Sequence, residues 1–411
     1  MQQSQSIRSA TIGVAVVFLT IAVAFGGVVS GKPARGSTYT VLYAFGAQRG
    51  DGVGPDEIVH DGSGNLYGTT IQGSANGSTS GGGTAFKLVP NGQETVLYSF
   101  CIQTNCADGD GLRGGLVLDK NGNLFGVTQA GGNNNNGVVY EIKANGSEMV
   151  LHSFTGGSDG GMPIGGLIRG SDGDLYGTTF SGGNGFANGV VFKIAPDGTE
   201  IVVHTFGSGF DGAGPEADLT IDPAGNLYGT TILGGANALG TVFELAPDGT
   251  EKVVYSFKGG SDGVVPLSKV LLDQAGNVFG TTFEGGNQGC GGAGCGVVFE
   301  IFPSGAETVL YTFTGGSDGG NPLGDLLEDQ TGNLYGTAPL YGMNGCGGSG
   351  CGVVFKLAPD GKEKNLHSFT GGNDGANSED LIWDPKVQRG TLFGTAGGGV
   401  DRGGVVFTLT K

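Results

Sequence analysis

The sequence has 411 residues, of which 89 are glycine, and its formal net charge is −18. A chain this acidic repels polyanions and shows no cluster of basic residues, which argues against nucleic acid and anionic membrane surfaces as partners. So much glycine can indicate disorder, but here the glycines recur at fixed positions between short apolar runs, as in a packed repeat fold.

The first 31 residues differ in composition from the rest. Arg8 precedes an uncharged stretch from Ser9 to Gly31, and its last small residues would suit a signal peptidase. The stretch is also long enough to span a bilayer uncut. We predict that residues 1–31 are a signal peptide or an uncleaved membrane-anchor helix, followed by a linker at 32–38. The protein is then periplasmic, extracellular or on the cell surface, and only an uncleaved leader would contact the membrane.

After this leader the chain repeats a variant of Gly-Asn-Leu-Tyr-Gly-Thr-Thr. Each repeat unit contains four apolar runs separated by turn signals such as Asp-x-x-Gly and Pro-Asp-Gly, and no helical periodicity is present. A glycine follows the aromatic residue in every copy, which indicates close approach of another group. A period near fifty residues with four short strands is typical of a propeller blade. The seven copies begin at Gly64, Gly122, Gly173, Gly225, Gly276, Gly332 and Gly390.

The two ends of the chain predict how the repeats close into a ring. The seventh unit stops after its third run, Gly404–Leu409, and the missing fourth run stands at the other end, where Tyr39–Phe45 matches Glu94–Phe100. We therefore predict an all-β fold: a seven-bladed propeller of four-stranded blades over residues 39–411, closed by strand 39–45. The predicted blades are about 58–100, 116–154, 167–206, 219–257, 270–313, 326–369 and 381–409 plus 39–45.

Four phrases recur in the same order along the chain: Gly-Asn-Leu-Tyr-Gly-Thr-Thr, Gly-Val-Val-Phe-Lys-Leu, Thr-Val-Leu-Tyr-Ser-Phe and Gly-Gly-Ser-Asp-Gly. Over roughly residues 38 to 411 they resemble the GloVer tandem repeats of bacterial exported proteins with a choice of anchor. The resemblance implies an extracytoplasmic repeat protein with no established activity. Family members often end in a sorting signal. This chain ends at Lys411 inside its last unit, so we expect no such anchor there.

The six cysteines form three pairs with Cys-x4-Cys spacing. In an exported chain, an even number of cysteines with local pairing indicates disulfides. A structural zinc site would need short Cys-x2-Cys knuckles with histidine support, which the sequence lacks. We predict three local disulfides that stiffen glycine-rich loops: Cys101/Cys106, Cys290/Cys295 and Cys346/Cys351.

No nucleophile motif, Walker loop, zinc-helix motif or Rossmann fingerprint is present. His152, His204 and His367 occupy a slot that tyrosine fills in the other units, which indicates a partly buried amphipathic ring rather than a catalytic base. An enzyme built on repeats should break the repeat at its catalytic residues, and these units deviate mainly in loop length and cysteines. Paired carboxylates of the glycosidase type are not readable, because their spacing across a closed ring is invisible in sequence.

One set of acidic residues recurs where each unit crosses to the next. These aspartates emerge on the same side as the loops between second and third runs, so one face of the ring gathers seven acidic loops. Each aspartate either pins its own turn through backbone amides, or joins others in binding calcium or a neutral glycan. The set is Asp51, Asp110, Asp159, Asp211, Asp262, Asp318 and Asp374.

The sequence therefore predicts a monomeric, non-catalytic binding or scaffold module. Its ligand would be a glycan, a protein or a cation, bound through the face with the Asp-Gly loops. No cofactor is required, and calcium is the ion that such loops would take. Two alternatives stay open: a propeller enzyme of the lyase or lactonase kind, which is an analogy of fold alone, and a structural component of a surface layer.

Overall fold

The computed structural model describes residues 37–411 except 49, 74–80, 186, 208, 287–288, 343–345, 347–349, 387–389 and 399–402. Within these residues, 28 strands form seven four-stranded antiparallel sheets arranged as a propeller, which confirms the predicted fold. The predicted signal or anchor helix at 1–31 lies outside the described residues. Among the helices that are described, none is long and apolar enough to cross a membrane.

Each blade is a meander in which consecutive strands pair. Blade 1 contains β2 (Val53–His60), β3 (Leu66–Gln72), β4 (Thr84–Leu88) and β5 (Glu94–Ser99). Blade 2 contains β6 (Asp110–Leu118), β7 (Leu124–Ala130), β8 (Val138–Ile142) and β9 (Glu148–Ser153). Blade 3 contains β10 (Ile168–Arg169), β11 (Leu175–Thr179), β12 (Val190–Ile194) and β13 (Glu200–Thr205). Blade 4 contains β14 (Thr220–Ile221), β15 (Leu227–Thr231), β16 (Thr241–Leu245) and β17 (Glu251–Ser256).

The remaining blades follow the same order. Blade 5 contains β18 (Leu271–Leu272), β19 (Val278–Thr282), β20 (Val297–Ile301) and β21 (Glu307–Thr312). Blade 6 contains β22 (Leu327–Glu328), β23 (Leu334–Ala338), β24 (Val353–Leu357) and β25 (Glu363–Ser368). Blade 7 contains β26 (Leu381–Trp383), β27 (Thr391–Ala396) and β28 (Val405–Thr410), with β1 (Thr38–Ala44) as its outer strand. Short 3-10 helices lie at Thr104–Cys106, Gly260–Asp262 and Cys290–Gly292.

Aromatic pairs hold neighbouring blades together. A phenylalanine follows each outer strand, and its ring packs on the aromatic residue at the centre of the third strand of the next blade. The ring centroids are 4.7 to 5.6 Å apart, and all of these rings are buried. Such pairs contribute about 0.5–1.5 kcal/mol each beyond the burial of their area. They are Phe45–Phe86, Phe100–Tyr140, Phe154–Phe192, Phe206–Phe243, Phe257–Phe299, Phe313–Phe355 and Phe369–Phe407.

The recurring glycine of each second strand makes room for these rings. Gly177 lies opposite Phe192 in the strand ladder. A Cβ on Gly177 would lie 2.7 Å from the tip of the Phe192 ring and 3.0 Å from Leu167 Cδ2, closer than packed atoms approach. The close approach indicated by the sequence is therefore confirmed, and the approaching group is the aromatic ring of the third strand.

Strand β1 closes the ring by pairing with β28, as predicted from the chain ends. Its Tyr39 is 5% exposed and stacks on His367 of blade 6 with ring centroids 3.9 Å apart. The ring also packs on Phe407, and its hydroxyl donates to the carbonyl oxygen of Asp374 at 2.6 Å. The six other outer strands begin with glutamate at this position, so the tyrosine is specific to the seam between blades 6 and 7.

All three predicted cysteine pairs are bonded: Cys101–Cys106, Cys290–Cys295 and Cys346–Cys351. In blade 5 the disulfide packs against the loop that leaves the outer strand, because a Cβ on Gly315 would lie 2.8 Å from Cys290 Sγ. In blade 6, a Cβ on Gly371 would likewise lie 2.6 Å from Cys346 Sγ. These two disulfides therefore brace the crossing loops of their own blades.

Replacing Tyr39 by alanine is expected to lower the free energy of unfolding by about 3–5 kcal/mol, because a buried aromatic ring is lost and a cavity remains. Urea denaturation followed by Trp383, the single tryptophan and a residue of blade 7, measures this. Tyr39→Phe keeps the ring and loses one hydrogen bond, so it should cost only about 1 kcal/mol. Equal stability of Tyr39→Ala and the wild type would show that the seam does not depend on this ring.

Candidate functional site

One position of the inner strands breaks the repeat. It precedes the buried aliphatic residue that anchors each inner strand in its blade core, such as Ile58 or Leu219. Neighbouring inner strands meet around the propeller axis, where the Leu167 amide donates to the Gly115 carbonyl. The position holds four carboxylates, one lysine and two glycines. In blade order these are Glu57, Gly115, Gly166, Asp218, Lys269, Asp325 and Asp380.

The five charged residues of this set, here called the axial ring, line two cavities. The wide chamber, of about 900 Å³, opens toward the turns between first and second strands, beside Asp222 and Asp273. The narrow chamber, of about 430 Å³, opens on the opposite side, beside Gln129 and Phe283. The axial ring comprises Glu57, Asp218, Lys269, Asp325 and Asp380, and all five line both chambers.

Apolar side chains form the wall of the wide chamber next to the axial ring. They stand two residues after it in each inner strand, and each is only partly buried. We call them the aliphatic collar, in which one threonine replaces an aliphatic residue. Chambers of this size, apolar with a few converging charges, are typical of sites for small ligands. The collar is Val59, Val117, Ile168, Thr220, Leu271, Leu327 and Ile382.

Gly115 makes room for two of the carboxylates. A Cβ on this glycine would collide with Asp218 Oδ2 and would lie 2.8 Å from Glu57 Oε2. The two carboxylates therefore converge on one point beside the second blade. Gly166 serves another purpose, because a Cβ there would overlap the backbone of Gly115. Both glycines of the repeat-breaking position are thus required by close packing at the axis.

The carboxyl groups of the axial ring differ in the hydrogen bonds that they accept. Asp218 accepts a hydrogen bond from the Gly166 amide. Asp325 accepts one from the Lys269 amide at 3.1 Å, and its other oxygen lies 3.9 Å from Lys269 Nζ. Asp380 is 8% exposed, and its Oδ1 is buried with no hydrogen-bond partner among the described residues. A buried carboxylate oxygen without a donor is costly, and the raised pKa of Asp380 reduces that cost because it favours the neutral acid.

Burial and mutual repulsion raise the pKa of several carboxyl groups in the ring. Burial raises the pKa of Glu57 well above its usual range, and Asp218 and Asp380 raise it further. Burial likewise raises the pKa of Asp380. The pKa of Asp325 reaches only about 6, because Lys269 opposes the effect of burial. Burial acts to lower the pKa of Lys269, but the surrounding carboxylates outweigh it and the lysine stays protonated.

The narrow chamber adds further acidic groups. Asp56 accepts a hydrogen bond from the Gly114 amide at 3.2 Å, and burial, with repulsion from Glu379, raises its pKa to about 8. Glu216 and Arg113 also line the narrow chamber. The lining of this chamber contains seven carboxyl groups against one arginine and one lysine. An excess of one charge in a channel with low-dielectric walls concentrates ions of the opposite sign.

Most of the predicted acidic residues lie in the crossing loops and accept hydrogen bonds there, as the turn-forming alternative expects. In each blade a tyrosine or histidine of the outer strand lies against the carboxylate of the loop that follows. Asp318 shows the pattern: it accepts hydrogen bonds from the Tyr311 hydroxyl at 3.0 Å, from the Thr314 amide at 2.8 Å and from the Gly316 amide at 3.1 Å. The pairs are Tyr43–Asp51, Tyr98–Asp108, His152–Asp159, His204–Asp211, Tyr255–Asp262, Tyr311–Asp318 and His367–Asp374.

Asp110 departs from the prediction. It was expected in the loop that crosses from blade 1 to blade 2, but it is the first residue of β6 and accepts a hydrogen bond from the Gly82 amide at 2.6 Å. Asp108 occupies the loop position instead, because the longer loop with Cys101 and Cys106 shifts the register. Calcium or glycan binding by the loop aspartates is not tested by this geometry and stays a prediction.

A glutamate of the next blade lies near each of six of these loops. It is the first residue of an outer strand, and its Oε1 is buried with no hydrogen-bond partner in the described part of the chain. Burial, with repulsion from the loop aspartate, raises the pKa of each to about 7 from the usual 4.5. These rim glutamates are Glu94, Glu148, Glu200, Glu251, Glu307 and Glu363.

The rim glutamates predict a pH-dependent stability. Because their pKa is higher in the folded protein, protonation stabilises it: the contribution is complete below about pH 4.5 and is lost as the pH rises through about 7. We expect the Tm to fall between pH 5 and pH 8, and glutamine at all six positions to reduce that fall. Glu141→Gln and Glu244→Gln, outside these interfaces, are the control pair. An unchanged pH slope in the sixfold variant would contradict this origin.

Comparisons with known proteins agree with the architecture. No curated protein matches the chain. Among solved structures, the extracellular domain of a hybrid two-component system of B. thetaiotaomicron is 13% identical with a TM-score of 0.52, covering 90% of this chain and 39% of that one. PorZ, a surface component of the type-IX secretion system of Porphyromonas gingivalis, is 15% identical with a TM-score of 0.52, covering 89% and 47%. A gluconolactonase of Xanthomonas campestris is 14% identical with a TM-score of 0.42, covering 73% and 85%.

The chain spans less than half the length of the first two of these proteins, and at such identities the likeness is one of fold alone. The family comparison is more specific. A model of the Gloeobacter/Verrucomicrobia repeat matches residues 22–185 and 144–339, which is most of the chain. With the strand order and the recurring phrases already described, this match identifies the chain as a member of the Gloeobacter/Verrucomicrobia repeat family.

Proposed function

We propose that this protein is an exported, non-catalytic binding module that takes a small ligand into its axial channel, the space formed by the wide and narrow chambers. The observation that carries the proposal is the axial ring, where the repeat loses its symmetry and four carboxyl groups and one lysine line both chambers. Charged groups gathered at one place inside a fold cost stability, so they point to binding rather than to packing.

The aspartates of the crossing loops, on the rim, differ from the axial ring, and this difference supports the axis as the binding site. These aspartates are nearly invariant from blade to blade, and each accepts hydrogen bonds within its own turn, as Asp318 and Asp374 do. Recurrence together with hydrogen bonds inside the same turn is typical of a structural residue. The members of the axial ring differ from blade to blade, which favours the axis over the rim as the place where a ligand binds.

Export is supported by the three disulfides, because such bonds persist in oxidising compartments outside the cytoplasm. The apolar stretch at residues 9–31 supports it independently, as a signal peptide or an anchor. Both features agree with a binding module that meets its ligand at or beyond the cell envelope.

One pair of residues favours a second candidate function, glycoside hydrolysis. Glu57 and Asp218 converge beside Gly115, so their oxygens are within about 5 Å, near the separation of the carboxyl pair in retaining glycosidases. Glu57 has a raised pKa, as a general acid requires, and Asp218 accepts a backbone hydrogen bond. Release of nitrophenol from aryl glycosides, lost in Glu57→Gln, would support this candidate over simple binding.

Filling the wide chamber is expected to abolish ligand binding without unfolding the protein. The full chain would be screened by thermal shift against a panel of oligosaccharides and small organic cations. Val117→Phe adds a ring to the aliphatic collar, and Ile201→Phe adds the same ring to an outer strand where Ile201 is 44% exposed. Every compound that stabilises the wild type should stabilise Ile201→Phe but not Val117→Phe. A ligand retained by both variants would place binding outside the channel.

A further inference from the structure

We infer that the Cys346–Cys351 disulfide is a thiol-exchange site that controls how firmly strand β1 closes the propeller. In the oxidised protein the bond braces the loop that crosses from blade 6 to blade 7, and that loop holds Tyr39 of β1. In the reduced protein the loop loses its brace and β1 opens more often. The inference concerns the seam between blades 6 and 7, so it does not depend on a ligand in the axial channel.

The disulfide lies directly against this crossing loop, residues 370–375. A Cβ on Gly371 would lie 2.6 Å from Cys346 Sγ and 3.1 Å from Cys351 Sγ, so both sulfur atoms cover this glycine. Just after the loop, the Asn377 amide donates to the Cys351 carbonyl at 2.9 Å. Three of the six loop residues are glycine, so the loop has few side chains that limit its conformations. The disulfide supplies the constraint that the glycines lack.

The same loop holds strand β1 through Tyr39. The Tyr39 hydroxyl donates to the Asp374 carbonyl oxygen at 2.6 Å. The Tyr39 ring stacks on His367, whose Nε2 lies 3.3 Å from the Asp374 carboxylate. All three residues are buried. Asp374 therefore connects the loop under the disulfide to the strand that closes the ring.

Strand β1 depends on such contacts more than the other outer strands do. Each of the other six follows the third strand of its own blade through a short turn. β1 instead pairs with β28, which stands at the opposite end of the sequence, and the chain continues from β1 into blade 1. A strand at the edge of a sheet that no turn joins to its neighbour opens locally at a low free-energy cost.

Exposure distinguishes this disulfide from the other two. All six cysteines lie in the described part of the chain, and Cys346 is the exposed one, whereas Cys101, Cys106 and Cys290 are partly buried. Its partner Cys351 is fully buried. The rate of exchange depends on which sulfur a thiolate can reach. Cys346 is therefore the sulfur that is attacked, and Cys351 is the leaving group.

Exchange proceeds in two steps with a thiol as the reductant. A thiolate attacks Cys346 Sγ, the bond to Cys351 Sγ breaks with its electron pair, and the Cys351 thiolate takes a proton from water. A second thiolate attacks the first reductant sulfur in the mixed disulfide, and the Cys346 thiolate leaves and is protonated. Two thiols are oxidised to one disulfide, and the protein disulfide is reduced to two thiols.

Blade 4 makes the same contact without a disulfide. Its Leu239 occupies the position that Cys351 has in blade 6. A Cβ on Gly259, the counterpart of Gly371, would lie 2.9 Å from Leu239 Cδ1. A leucine thus covers the crossing glycine in a form that no thiol changes. Blade 6 makes this contact in a reducible form, at the loop that holds Tyr39.

The test is hydrogen–deuterium exchange of the peptide 37–45, measured by mass spectrometry on the full chain before and after treatment with dithiothreitol. One variant keeps only Cys346–Cys351 and a second keeps only Cys290–Cys295, with the other four cysteines replaced by serine. In the first, reduction should speed exchange in this peptide at least about tenfold, because local opening becomes more frequent. In the second, exchange there should be fast from the outset and unchanged by reduction.

A third variant separates the covalent bond from the packing. It keeps Cys290–Cys295, has serine at positions 101 and 106, and carries Cys346→Ala with Cys351→Leu, which copies the contact of blade 4. Its β1 should exchange as slowly as in the oxidised wild type, with or without dithiothreitol. In the wild type, glutathione at limiting concentration should form its adduct on Cys346, which peptide mapping locates.

The inference is wrong if reduction of Cys346–Cys351 leaves exchange in peptide 37–45 unchanged, because the loop then holds Tyr39 without the bond. It is also wrong if the second variant protects β1 as the oxidised wild type does, or if the glutathione adduct forms on Cys351. Should a serine variant not fold, a dithiothreitol titration of the wild type decides. Exchange in peptide 37–45 must then rise with the reduction of Cys346–Cys351 and not with that of Cys290–Cys295.

Discussion

The aromatic ring that each blade places against the next is the contact on which the propeller depends. It lies over a strand glycine, as Phe192 lies over Gly177, so the third strand can sit close enough to meet the phenylalanine of the preceding blade. No single blade can bury these rings alone, because half of each pair belongs to a neighbour. The ring of blades must therefore close, and β1 supplies both the strand and the aromatic residue, Phe45, that the last interface needs.

The aromatic interlock lies in the outer part of each blade, and each inner strand is anchored by one buried aliphatic residue, such as Leu219. In blades 3 to 6 the inner strands pair over only two residues. The residue two positions before each of these pairs lies at the axis, and its side chain, where it has one, lines the axial chambers rather than a blade core. Its identity can change without disturbing the fold, as the replacement of Asp218 by Lys269 between successive blades shows. The architecture thus provides one position in each of five blades whose side chain varies in type, whereas close packing requires glycine at that position in the other two.

The fold could be predicted from the sequence because it is a repeat, and the pattern of apolar runs and turn signals recurs in seven units. The outer strand that the seventh unit lacks could be located near the N-terminus, at residues 39–45. The sequence did not point to the axial ring. The acidic residues that recur, such as Asp262, suggested a site because they recur; in the structure they accept hydrogen bonds in their own turns, and ligand binding by them stays a prediction. The position of the axial ring can be located in the sequence, because it stands one residue before the buried aliphatic residue of each inner strand. Its members, however, do not belong to one residue type. Their convergence depends on a closed ring that only the structure shows.

The two acidic sets of this protein show how carboxylates serve opposite purposes in one fold. On the rim, Asp318 is surrounded by donors that its own loop supplies, so its charge is used to hold the loop. At the axis, Asp380 lies as deep, but its charged neighbours are Asp325, Asp218 and Lys269, and burial raises its pKa. The two places are equally buried, but they differ in the donors that surround the carboxyl group. The proposed site therefore rests on the charged residues that differ from blade to blade, whereas the aspartates that recur with their donors hold the crossing loops.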